Sequence, residues 1–205
     1  PATMPKHITA NTGMDVLAHA IEAYVSTAAS PYTDALAIQA IKLVLENIVT
    51  AYEHGDNMEA RNNMHNASAL AGMAFTNASL GLIHSLAHKI GGEFGITHGL
   101  TNAILLPYII QFNRKSTDKV SKLEKDLGIE NLSSCIKELN EKLDIPLNFK
   151  DVTEVDMNED KFKEVLVRMS ENAYNDPCTA TNPRESDPKI VEMIYTSAYY
   201  GKDID

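Results

Sequence analysis

The sequence holds only two cysteines, Cys135 and Cys178, far apart and in no Cys-x-x-Cys arrangement. A disulfide scaffold and a thiolate-rich metal site both lack the spacing they need. Positive charge is also scarce: 18 Lys and Arg stand against 28 Asp and Glu, for a net charge of −10. With no basic cluster above that background, nucleic acid and anionic membrane surfaces are poor partners. No apolar run approaches the ~20 residues that span a bilayer. No basic-then-apolar leader is present either, so the cytoplasm is the expected location. Period-two alternation, internal repeats and low-complexity tracts are missing. So are Gly-x-Gly-x-x-Gly and the Walker loop, which leaves no phosphate-cradling motif. His-Asp, Glu-x-x-His and His-Glu-x-x-His are absent too. That removes the patterns of helical phosphohydrolases, di-iron bundles and zinc proteases.

What is present reads as helix throughout. The 205 residues are 44% hydrophobic, enough for a substantial core. Residues 1–10 are polar and punctuated by Pro1 and Pro5, as an inter-domain linker would be. The opening Pro1-Ala2-Thr3, without Met, suggests a piece of a longer polypeptide. Thr12 is the expected N-cap of a helix reaching Ser26. Ser30-Pro31 opens a second, with Ile38, Ile41, Leu45, Ile48 and Tyr52 at spacings of three and four. Helices are expected next over Ala60–Asn77, Gly81–Phe94 and Gly99–Phe112, with a kink or early break at Pro107. Short amphipathic helices follow from Ser116, then Glu159–Ala173 and Pro188–Tyr200 around a turn-rich loop at 175–184. The expected fold is an all-α, multi-helix domain over residues 11–205.

Gly81–Gly99 carries three of the seven histidines, His84, His88 and His98. His84 and His88 are four apart and share a helix face. A glycine-rich break at Gly91, Gly92 and Gly95 then restarts the chain near His98, which lets a third imidazole turn back towards the first two. Asp15 and His19 form a second pair at the same spacing. One carboxylate and three imidazoles (Asp15, His19, His84, His98) suit a borderline divalent cation such as Fe²⁺ or Zn²⁺. His88 would stand beside it without binding. The residues have a plainer reading as core histidines and a common helix pair, which spacing alone does not remove. Glu22, one turn beyond His19, reads as a solvated helix carboxylate in preference to a residue supporting the metal ligands, and Cys178 reads as an inert thiol.

Two segments, Thr12–Tyr24 and Gly81–Gly99, resemble the metal-binding signatures of the iron-containing alcohol dehydrogenases, whose fold is dehydroquinate synthase-like. The likeness continues through Asn102-Ala103-Ile104-Leu105-Leu106-Pro107 and Asn182-Pro183-Arg184. It implies that Asp15, His19, His84 and His98 hold the metal, and that His88 lies near the nicotinamide ring and handles a proton. It implies reversible hydride transfer between a primary alcohol or aldehyde and NAD or NADP. The cofactor would be bound mainly by an N-terminal nucleotide-binding domain outside this chain, and the protein would form a homo-oligomer. Four filled ligand positions fit Fe²⁺ better than the zinc-dependent glycerol dehydrogenase branch. A non-catalytic metal-binding helical module is the remaining alternative.

Overall fold

A computed structural model describes residues 3–204. Among these residues there are nine α-helices, two short 3-10 turns and no strand, so the all-α expectation holds. The helices are α1 (Lys6–Val25), α2 (Pro31–Glu53), α3 (Met58–Ala78), α4 (Leu82–Phe94) and α5 (His98–Asn113). They continue as α6 (Lys119–Leu127), α7 (Leu132–Lys142), α8 (Glu159–Tyr174) and α9 (Pro188–Tyr200).

α1 starts ahead of Thr12. Residues 6–10, expected as linker, form its first turns, and Thr9 and Ala10 are buried there. The Thr12 hydroxyl does not cap: it donates to the Ile8 carbonyl at 2.7 Å, and Thr9 donates likewise to Pro5 at 3.2 Å. Both are helix-interior bonds in which a Thr hydroxyl turns back one turn. α2 begins as its signals dictate. Ser30 accepts from the Thr33 N–H while the Thr33 hydroxyl accepts from the Ser30 N–H, a reciprocal cap with Pro31 in the first turn. By length and composition α2 could cross a bilayer, contrary to the sequence expectation. Its Ala37, Ala40, Ile41, Val44 and Ile48 are instead buried in the protein core.

α3 and α4 meet at 105°. Gly91 and Gly92, expected to break the chain, lie inside α4, which ends only at Gly95 in the left-handed conformation (φ 74°). Gly91 serves close packing. A Cβ there would stand 3.2 Å from the Ile96 carbonyl and 3.3 Å from Thr101 Oγ1.

α5 continues through Pro107 to Asn113, so no break occurs there. Proline withholds the N–H that would pair with the Ala103 carbonyl. Asn140 of α7 replaces it, its Nδ2 donating to that carbonyl at 2.8 Å. α5 is buried from Leu100 to Ile110, as a central helix apolar on all sides must be. It packs against α1, α4, α7 and α9. α9 is tied to α4 by the buried Tyr195 hydroxyl, which donates to the Leu86 carbonyl at 2.7 Å.

Gly99, in the first turn of α5, touches α1. A Cβ there would lie 2.2 Å from the Asn11 carbonyl oxygen, closer than any real contact. Gly99→Ala must therefore push α5 off α1. A destabilisation of about 1–3 kcal/mol is expected from overpacking, read as a lower urea midpoint with unchanged slope. An unchanged midpoint would show that the two helices are not held this close.

Candidate metal centre

The close approach of α1, α4 and α5 brings their polar residues to one place. α1 contributes Asp15, His19 and Glu22 from one face, α4 contributes His84 and His88, and α5 contributes His98 and Asn102 one turn apart. Donor atoms of Asp15, His19 and His84 lie within 4.8 Å of one another. His98 joins at the rim: its Nε2 is 3.4 Å from Asp15 Oδ1, and its ring centroid is 5.2 Å from that of His84. Of the five residues singled out from sequence, four converge here. The fifth, His88, stands beside them with its ring stacked on His98 at 5.6 Å.

Hydrogen bonds aim the rings. His19 Nδ1 lies 2.7 Å from the Asp15 backbone carbonyl, so it carries the proton and leaves the Nε2 lone pair free. His84 Nδ1 lies 2.6 Å from Glu22 Oε2, which turns the Nε2 of that ring towards Asp15 and Asn102. Burial, and next the neighbouring His84, push His19 below its ordinary pKa against the opposing pull of Asp15. Burial does the same to His98, again against Asp15. Both shifts favour the neutral ring, the form that offers a lone pair.

Asn102 lies where these groups point. Its Nδ2 donates to Asp15 Oδ1 at 2.6 Å and sits 3.0 Å from His98 Nε2 and 3.3 Å from His84 Nε2. Two N–H hydrogens cannot serve three acceptors, and the buried Oδ1 of the same amide has no partner among the described residues. Three converging lone pairs therefore share an incomplete set of donors.

Beside the cluster, Asp176 faces His88. Its Oδ2 accepts from Lys89 Nζ at 2.7 Å and from His88 Nδ1 at 3.1 Å, while Oδ1 accepts from the Cys178 N–H at 3.1 Å. Burial alone would raise the Asp176 pKa, but the Lys89 ammonium, the Cys178 N–H and His88 together hold it at about 2. The His88 side chain is 40% exposed, and with Nδ1 engaged by Asp176 its Nε2 is the nitrogen without that partner. Burial, then Asp176, push the Cys178 thiol up to about 12, which leaves it un-ionised and inert at neutral pH.

Glu22 corrects the sequence reading. It is 2% exposed rather than solvated, and it bonds His84. Its place three residues beyond His19 raises a supporting role, and the burial decides for that role over the solvated reading. Asn102, four residues beyond His98, carried the same spacing signal. Asp176 carried none, since its partner His88 is 88 residues away.

Comparison with known proteins gives one answer. Residues 9–199 match the family model "Fe-containing alcohol dehydrogenase family, C-terminal". An NADPH-dependent butanol dehydrogenase of Clostridium saccharobutylicum is 46% identical over 99% of this chain and 54% of its own. Alcohol dehydrogenase 4 of Saccharomyces cerevisiae is 40% identical over 97% of this chain and 53% of its own. The iron-containing alcohol dehydrogenase structure from Thermococcus thioreducens superposes with a TM-score of 0.91 at 37% identity, covering 98% of this chain and 53% of that one. The chain thus spans about half the length of these relatives.

Asp176 also sets an acid limit. Its folded pKa lies below the 3.8 of a free carboxyl, so its contribution is full above about pH 4 and fades as pH falls towards 2. A shift of nearly two units corresponds to a stabilisation on the order of 2 kcal/mol at neutral pH. Urea unfolding at a series of pH values should show wild type more stable than Asp176→Asn at pH 7, with the gap closing through that window. A gap independent of pH would mean that the carboxylate charge is not what the pair depends on.

Proposed function

The chain belongs to the Fe-containing alcohol dehydrogenase family, and on that premise we propose that Asp15, His19, His84 and His98 hold a divalent cation, Fe²⁺ by preference and Zn²⁺ as the alternative. The observation that carries this reading is the convergence of three acceptor atoms on one overcommitted amide, Asn102 Nδ2. A cation at that point would satisfy the lone pairs together. One hard carboxylate with borderline imidazoles matches such a cation in chemistry, and burial favours the neutral, ligating form of His19 and His98.

The reaction we assign is reversible hydride transfer between a primary alcohol or aldehyde and NAD or NADP. When bound, the cation would supply Lewis acidity towards a substrate oxygen and the nicotinamide would supply the hydride chemistry. The rest falls to side chains of this chain. Ile83, Leu86 and Ala87, which flank His84 and His88 on α4, are buried in the core. His88, with Nδ1 held by Asp176, keeps Nε2 as the nitrogen that can take the hydroxyl proton and release it to solvent. No phosphate-cradling motif occurs here, so the nucleotide would be held by the part of the relatives' length that this chain does not match. The butanol dehydrogenase likeness points to a small, unbranched alcohol.

Turnover of a primary alcohol with NAD and with NADP, in the full-length protein, tests the assignment. Chelation should abolish activity, and Fe²⁺ added without oxygen should restore it. His88→Gln should keep its metal yet lower kcat by about 100- to 10,000-fold. Activity that survives full metal removal would refute the proposal. Unchanged kcat in His88→Gln would refute the proton-handling role alone.

A further inference from the structure

Glu22 is a buried carboxylate without a permanent counter-cation. Its side chain is 1% exposed, and its one ionic partner among the described residues is His84. Its two oxygens have separate duties. Oε2 takes His84 Nδ1 at 2.6 Å, and Oε1 accepts from the Ile83 N–H at 2.6 Å in the first turn of α4. The next open N–H, of Leu82, donates to Asn182 Oδ1 at 3.3 Å. Gly81, at the N-cap, makes no cap of its own, and a Cβ on it would lie 3.0 Å from Glu22 Oε1 and 2.9 Å from Asn182 Oδ1. Residues from α1 and from the tail loop thus close α4 from outside. Both carboxylate oxygens are thus hydrogen-bonded, one to an N–H at a helix N-terminus and the other to an imidazole, with no Lys or Arg among the partners.

We infer that Glu22 is a positioning residue for the metal centre: by accepting from His84 Nδ1 through Oε2 it fixes the plane of the ring and raises the donor strength of Nε2. The inference rests on the metal reading above. A carboxylate–histidine–metal relay of this kind orients the ligand and makes it more basic. The same carboxylate also pins the helix turn that carries His84, so ring and backbone are held by one group. The opposite tautomer would set two buried acceptor atoms against each other, and a ring flip would put a C–H where Oε2 now accepts, so either change costs a buried hydrogen bond.

Glu22→Gln separates these duties. The amide is isosteric, but whichever way it turns, one of His84 Nδ1–H and Ile83 N–H meets an NH₂ instead of an oxygen. Asn182→Ala is the structural control, since it frees the Leu82 N–H and loosens the same turn without touching His84. The probe is Co²⁺, titrated into the metal-free protein, read by affinity and by its visible d–d absorption. Wild type should bind Co²⁺. Glu22→Gln should bind about 10- to 100-fold more weakly, with shifted d–d bands, and Asn182→Ala should keep the wild-type spectrum. Equal affinity and identical bands in wild type and Glu22→Gln would overturn the inference and leave the metal centre standing. Equal losses in both variants would also overturn it, reducing Glu22 to a helix cap. No Co²⁺ binding by wild type would instead remove the metal reading beneath it. Should Glu22→Gln fail to fold, the Zn²⁺-loaded wild type gives the answer by proton NMR. A slowly exchanging low-field proton on His84 Nδ1 is required, and its absence overturns the inference.

Discussion

Three helices have to bring polar side chains to one buried point without leaving their own ends unpaired. α1 can lie against the first turn of α5 only because Gly99 has no side chain to meet the Asn11 carbonyl. α4 can begin beside α1 only because Glu22 and Asn182 take the N–H groups that Gly81 leaves open. Most of the domain follows from keeping those contacts. α5 is surrounded by α1, α4, α7 and α9, and Asn140 repairs the hydrogen bond that Pro107 removes from it. The tail loop closes the arrangement. Thr181 Oγ1 donates to the Leu80 carbonyl at 2.6 Å, and Arg184 Nη1 donates to the Phe112 carbonyl at 2.8 Å. The segment that looks like irregular connection therefore holds the start of α4 against the end of α5.

The polar cluster is expensive in isolation. Asp15, Glu22 and three imidazoles are crowded where desolvation disfavours charge, and no Lys or Arg enters to balance them. Carboxylates there are tolerable if each oxygen is hydrogen-bonded, and imidazoles if each proton has an acceptor. Glu22 and the Asp15 carbonyl meet that condition for His84 and His19. The face towards Asn102 does not, since one amide stands before three acceptors with its own oxygen orphaned. Such an imbalance fits a centre built for a cation better than one built for packing. Asp176 and Lys89 form a separate, internally balanced pair, which holds His88 at Nδ1 and leaves the ring partly exposed.

Local rules carried the sequence reading a long way where local physics decides the structure. Ser30-Pro31 and Asp187-Pro188 each place a cap and a proline at a helix start, and both helices begin there. The i, i+4 pairs Asp15/His19 and His84/His88 face the same centre because α1 and α4 are regular helices. Local rules failed where a helix starts earlier than its cap signal and where partners come from afar. Thr12 looks like a cap in sequence but is helix interior, since its hydroxyl finds Ile8 within the same helix. Gly91, Gly92 and Pro107 look like breaks, yet packing and the Asn140 side chain override them. Glu22 bonds a residue 62 positions away, and Asn102 one 87 positions away. Helical spacing points each of them at the cluster, since each sits one turn from a histidine that was noticed, but nothing local names the distant partner.

The central claim is that the α1–α4–α5 junction is a cation site, and metal content tests it most directly. Protein purified without oxygen, wild type and His84→Ala, should be measured by element-resolved mass spectrometry. The account requires about one iron, or one zinc, per wild-type chain, and its loss from His84→Ala. A wild-type protein that takes up no metal even after anaerobic Fe²⁺ addition, or a His84→Ala variant that keeps its full complement, would contradict it.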